Sequence, residues 1–240
     1  MSKQRINAAL EEVTDTRDVK IETGALASVP EVFRENFRQG PIVIVADGNT
    51  FEVAGREVQR ELEAAGYTMM EPYVFPAEPP LFAEYSNIEK LRDSLREHAA
   101  IPVAVGSGTL NDIVKRSSHE CERSYMCVGT AASMDGYTAF GASIEKDGLK
   151  QTLSCSAPKA VVADLEILQD APENMTASGY ADLLGKVTSG RTGWSPTPWR
   201  SRRSTRRAGR WSRITCTSGP AARPSCAPGT SNPPSTWWRV

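Results

Sequence analysis

Hydrophobic positions in the first 190 residues follow two alternating patterns: short continuous apolar runs, and longer stretches in which apolar side chains recur at helical spacing. The run PIVIVAD at 41–47 ends on an acid, as strands covered on both faces of a parallel sheet often do. IPVAVG at 101–106, SYMCVGT at 124–130 and KAVVADLEIL at 159–168 predict further strands, with shorter candidates in VKIETGAL (19–26) and YTMMEPYVF (67–75). Between them, residues 30–37, 52–66, 87–100 and 109–116 read as helices; Pro30 suits a first turn and Gly66 an end. Residues 173–190 predict the last helix. Strands alternating with such helices predict an α/β fold, an open, mostly parallel, Rossmann-like sheet with helices on both faces.

After Gly190 the periodicity stops and the composition changes with it. Residues 191–240 hold ten Arg, all five Trp and no Asp, Glu, Lys, Leu, Phe or Tyr. The net charge of −1 therefore divides into a body with 18 basic against 29 acidic residues and a wholly cationic tail. A segment without an apolar pattern cannot build a core, so the tail is expected to be disordered.

No long apolar run occurs and the leading residues are polar and charged, which predicts a cytoplasmic chain without signal peptide or membrane span. The five cysteines form no C-x-x-C pair, which argues against a disulfide framework or a cysteine zinc site. Only two histidines, His98 and His119, are available for metal or general-base chemistry.

Four places offer chemistry, each with a plainer alternative. Gly106, Ser107, Gly108, Thr109 and Leu110 follow a strand and open a helix, where backbone N–H groups and the helix terminus suit a phosphate; the same residues also suit an ordinary tight turn. Thr130 to Tyr137 (TAASMDGY) leaves room for a ligand beside Asp135, or forms an Asx turn capped by it. Asp47 ends a strand where an acid commonly accepts from a ribose, or turns the chain before Gly48. Asp182 stands four residues before Lys186, the spacing of an exposed helical ion pair.

Taken in order, VGSGTLNDIVK, TAASMDGY, KAVVADLEIL and ASGYADLLGK resemble the bacterial and archaeal glycerol-1-phosphate dehydrogenases of the iron-containing alcohol dehydrogenase superfamily, over residues 18–190. The resemblance implies a nucleotide-binding α/β domain at 1–172, the start of a helical metal-binding domain at 173–190, and an NAD(P)-dependent enzyme that reversibly reduces dihydroxyacetone phosphate. On it, Asp47 contacts the adenosine ribose of NAD(H) or NADP(H), and Gly106, Ser107, Gly108, Thr109 and Leu110 cradle the pyrophosphate. Thr130 to Ser133 line the nicotinamide, Asp135 binds substrate, and Asp182 binds substrate and a catalytic divalent metal, zinc or nickel. The implied partner is a small phosphorylated substrate, with neither nucleic acid nor membrane, and a homo-oligomer is compatible.

Two departures stand out. Ala139 replaces a serine that relatives often present to the cofactor, and no histidine follows Asp182, where the family supplies two metal ligands. The tail's composition is that of a GC-rich gene read out of frame, so a frameshift near residues 189–192 is expected, with most of the helical domain missing and activity lost. Alternatives are another member of the same superfamily, acting as a glycerol dehydrogenase or like dehydroquinate synthase, a nucleotide-binding fragment without catalysis, and an arginine-rich nucleic-acid arm.

Overall fold

A computed structural model describes residues 3–11 and 13–192. The expectation of a disordered tail falls on residues 191–240, of which 193–240 lie outside the described residues. Contacts divide the chain into Met1–Gly185 and Lys186–Val240; the sheet, its helices and the site belong to the first unit, and the described part of the second is the end of one helix.

In chain order the elements are α1 (Lys3–Leu10), β1 (Asp18–Glu22), α2 (Val29–Asn36), β2 (Ile42–Asp47), α3 (Gly48–Thr50), a π-helical turn (Phe51–Gly55), α4 (Arg56–Ala64), β3 (Tyr73–Phe75) and α5 (Tyr85–Arg96). There follow β4 (Ile101–Gly106), α6 (Gly108–Glu120), β5 (Met126–Gly129), β6 (Ala142–Lys146), β7 (Leu149–Leu153), β8 (Ala160–Asp164), α7 (Leu165–Asp170) and α8 (Glu173–Thr192). A 3-10 turn at Ala25–Ser28 leads into α2.

Six strands form one parallel sheet in the order β1-β8-β5-β4-β2-β3. Successive strand residues point to opposite faces, and the core divides accordingly. Ile42, Ile44, Ala46, Val103 and Val105 pack with α2 and α4, while Val43, Val45 and Ala104 pack with α5 and α6. Both faces are therefore covered, as the continuous apolar runs predict.

Several elements differ from the sequence expectations, among them the strand expected over 159–168, which ends at Asp164, where the Asp164 side chain accepts the Glu166 N–H and caps α7. The predicted helix at 52–66 begins as a π-helical turn before α4, and the strand at 67–75 keeps only Tyr73–Phe75, with Met69 bridging Ile42. Residues 142–153 form an antiparallel hairpin, β6–β7, outside the main sheet.

Candidate functional site

All six strands run the same way, so their carboxyl ends share one edge. From β2 the chain goes outward to β3 and then returns past β2 to β4, which makes the β2/β4 boundary a topological switch point. Open α/β sheets bind ligands in the crevice outside such a point. Val45 pairs with Ala104, and two residues further on both strands end, Asp47 level with Gly106. Gly106 is in turn level with Gly129, and Gly129 with Ala163. An acid and three small residues thus form the floor of the edge.

Asp47 caps α3. Its Oδ1 accepts the N–H groups of Asn49 and Thr50, each at 2.9 Å, and its own N–H donates to Thr50 Oγ1 at 3.1 Å. The turn expected before Gly48 is thus present as a helix cap, which spends one carboxylate oxygen.

Gly106 is buried where β4 turns into α6, and a Cβ there would lie 2.9 Å from Leu110 Cβ. Leu110 is itself fully buried in the core, so its side chain holds the turn and only its backbone belongs to the rim. Ser107 is the extended N-cap of α6, without a side-chain cap bond, followed by Gly108 and Thr109 in the first turn. Their N–H groups begin a helix of 13 residues, an arrangement that favours anions.

The 130–135 loop lies over this turn. Thr130 is buried and its N–H donates to the Gly106 carbonyl at 3.1 Å; the Gly108 N–H donates to Ser133 Oγ at 3.4 Å. The Asp135 N–H donates to Asp182 Oδ2 at 3.0 Å, joining the loop to α8. One turn earlier on that helix, Gly179 abuts the Ala132 carbonyl so closely that no Cβ would fit. The structure therefore links Gly106, Gly108, Thr130, Ser133, Asp135 and Asp182 through successive contacts, with Asp47 beside them by register. An open cavity of about 430 Å³, lined mainly by Ala132, Leu165, Leu168, Gln169, Ala171 and Thr176, adjoins the loop.

Sequence reasoning missed three polar residues on the buried side of α6. Tyr125 donates its hydroxyl to Asn111 Oδ1 at 2.9 Å, and Asn111 Nδ2 donates to the Tyr137 carbonyl at 3.4 Å. Lys115 is 1% exposed, and its ammonium donates to the carbonyls of Gly136, Ala139 and Gly141 at 3.4, 3.0 and 3.2 Å. It also lies 3.6 Å from Asp112 Oδ1, while Asp112 Oδ2 accepts the Ser143 N–H at 3.1 Å. These groups anchor the chain beyond Asp135. The available signal was weak: an Asn, an Asp and a Lys fall among apolar residues of a helix that follows a glycine turn, where an acid and a base three apart also read as a surface pair.

The metal expectation fares differently. Among the described residues no group of three or more His, Cys, Asp or Glu side chains could hold a metal ion. His119 stands near the far end of α6, about 17 Å along the axis from Gly108 at 1.5 Å per residue. His98 follows α5 and precedes the start of β4, on the opposite edge of the sheet from the 130–135 loop that Asp182 contacts. One carboxylate does not make the three-ligand cage that a catalytic zinc uses.

Residues 20–172 match the model of a family described as iron-containing alcohol dehydrogenase. The chain is 36% identical over 148 residues to a glycerol-1-phosphate dehydrogenase (NAD(P)+) of Bacillus velezensis, which covers 61% of this chain and 38% of that protein. Against the enzyme of the same name from Methanosarcina mazei it is 33% identical over 174 residues, 72% of this chain and 47% of the relative. The chain thus spans less than half the length of these relatives. Among solved structures, a probable glycerol dehydrogenase from Sinorhizobium meliloti superposes with a TM-score of 0.62 at 19% identity, covering 74% of this chain and 47% of that one. NADH-dependent butanol dehydrogenase A from Thermotoga maritima gives 0.63 at 16% identity, covering 73% and 49%. At such identities the likeness is one of fold.

Proposed function

Because the chain belongs to the iron-containing alcohol dehydrogenase family, we propose that it is the nucleotide-binding half of an NAD(P)-dependent dehydrogenase that interconverts dihydroxyacetone phosphate and sn-glycerol 1-phosphate. The observation that carries this reading is the placement of Asp47 level with Gly106 at the switch point of the sheet, with the first turn of α6 directly beyond. An acid positioned for ribose hydroxyls beside amides positioned for a pyrophosphate is the pairing a dinucleotide requires. Asp47 takes the adenosine ribose, residues 106–110 the pyrophosphate, and Thr130 to Ser133 with the adjoining apolar cavity the nicotinamide. Asp135 faces the substrate.

A dinucleotide held by Asp47, the backbone amides of residues 106–110 and the loop from Thr130 to Ser133 would supply hydride chemistry between its nicotinamide and a ketone. The phosphorylated product of the reaction is a building block for glycerophospholipids. The family resemblance assigns Asp182 to a divalent metal, but the described residues do not complete that site. The proposal for this polypeptide is accordingly nucleotide binding without turnover.

The test titrates the 240-residue chain with NADH and NADPH, following nicotinamide fluorescence, and then assays dihydroxyacetone phosphate reduction with zinc or nickel added. Saturable binding without turnover is expected. Failure of both nucleotides to saturate at millimolar concentration overturns the binding reading, and turnover with either metal overturns the incomplete site.

A further inference from the structure

Among the first-turn amides of α6, that of Gly108 is already covered. It donates to Ser133 Oγ at 3.4 Å, and a Cβ at Gly108 would lie 2.7 Å from Met134 Sδ and 2.9 Å from Met134 Cγ. The methionine side chain therefore rests directly on the glycine Cα.

The flanks of this segment are tied to the α/β body. On one side Thr130 donates to the Gly106 carbonyl, and Tyr137 donates its hydroxyl to the Ala131 carbonyl at 2.6 Å. On the other, the Lys115 ammonium holds the carbonyls of Gly136, Ala139 and Gly141. Between them Ala132–Asp135 is gripped from α8, by Gly179 against the Ala132 carbonyl and by Asp182 Oδ2 accepting from Asp135 N–H. Positions 179 and 182 share one face of a helix, so a single element sets the height of the segment above Gly108.

We propose that Ala132–Asp135 is a flap over the phosphate-binding amides, latched by Asp182 and Gly179, and that a dinucleotide enters by displacing Met134. Asp182 is then a positioning residue whose contact with the loop, rather than a metal, regulates access. This inference rests on the nucleotide-binding reading above. A closed flap slows association and lowers apparent affinity by the fraction of time the cradle is covered.

Stopped-flow mixing of the full chain with NADH, without metal, tests it. Asp182→Ala removes the latch and Met134→Gly the cover; each is expected to raise the association rate constant at least fivefold, and the double variant to add little. A rate constant for either single variant less than twofold above the unaltered chain's, or below it, overturns the flap. Hydrogen exchange without ligand gives an independent reading: Asp182→Ala should speed exchange of the Gly108 and Asp135 amides at least tenfold, and unchanged exchange overturns the latch. If NADH does not bind the unaltered chain, the nucleotide reading fails, while the exchange experiment still decides whether Asp182 holds the segment closed.

Discussion

The ammonium of Lys115 and the carboxylate of Asp112, 3.6 Å apart on the inner side of α6, form a buried pair from which residues 136–143 are suspended. Removing one partner leaves the other charge uncompensated, which costs far more than losing the pair together. Lys115→Met should destabilise the chain by about 3–5 kcal/mol in urea unfolding. Asp112→Leu added to Lys115→Met should recover a large part of that loss, and a strictly additive double variant would contradict direct coupling.

The same pair predicts a pH dependence. Burial raises the Asp112 carboxyl above its ordinary 3.8, opposed by Lys115, the Ser143 N–H and Lys150. Between those two values the folded chain holds a proton that the unfolded chain has released, so this group's contribution to stability falls as pH rises from 3.8 through the raised value. Asp112→Asn lacks that titration. The stability of the unaltered chain minus that of Asp112→Asn should therefore decline across the window and level off above it, as read from urea midpoints; a difference that grows with pH would reverse the sign and refute the assignment.

Asp47 does two jobs that substitution can separate. Asparagine caps helices about as well as aspartate, so Asp47→Asn should keep stability within about 0.5 kcal/mol while weakening NADH binding through loss of the charged acceptor. Asp47→Ala should lose about 1 kcal/mol of stability as well. Equal NADH affinity in Asp47→Asn and the unaltered chain would leave the residue with capping alone.

Much of this molecule was legible from its hydrophobic pattern, because strands covered on both faces must be apolar throughout; 41–47 and 101–106 satisfy that with little ambiguity, whereas the run read as a strand over 159–168 is strand only to Asp164, since Leu165–Leu168 extend the apolar run into α7. The β6–β7 hairpin was not, since β7 is largely exposed and lacks strong alternation. Its remaining signal is Asp147–Gly148 at the turn, both with positive φ, the Asp-Gly pairing of tight hairpins. The π-helical turn escaped because one wide turn scarcely alters apolar spacing; Gly55 makes room there for the Phe51 ring, with 3.2 Å from its ideal Cβ to the ring's Cγ. Gly106 and Gly108 announced themselves by type and placement. Asp112 and Lys115 did not, because an acid and a base three apart on a helix read as a surface pair until the loop that buries them is in place.

Two neighbouring glycines offer the sharpest separation of packing from binding. Alanine at 106 meets the Leu110 Cβ at 2.9 Å, and Leu110 is fully buried, so the end of β4 must shift and loosen the Thr130–Gly106 hydrogen bond. Overpacking of that kind costs about 1–3 kcal/mol, and the displaced amides should weaken NADH binding tenfold or more. For alanine at 108 the three nearest atoms all belong to the flexible, partly exposed side chain of Met134. That contact can swing away, so Gly108→Ala should cost less than about 1 kcal/mol and speed exchange of the Asp135 amide by lifting the flap. The comparison needs only urea titrations and hydrogen exchange on the two variants. If Gly108→Ala proves as destabilising as Gly106→Ala, Met134 is part of the packed core rather than a movable cover.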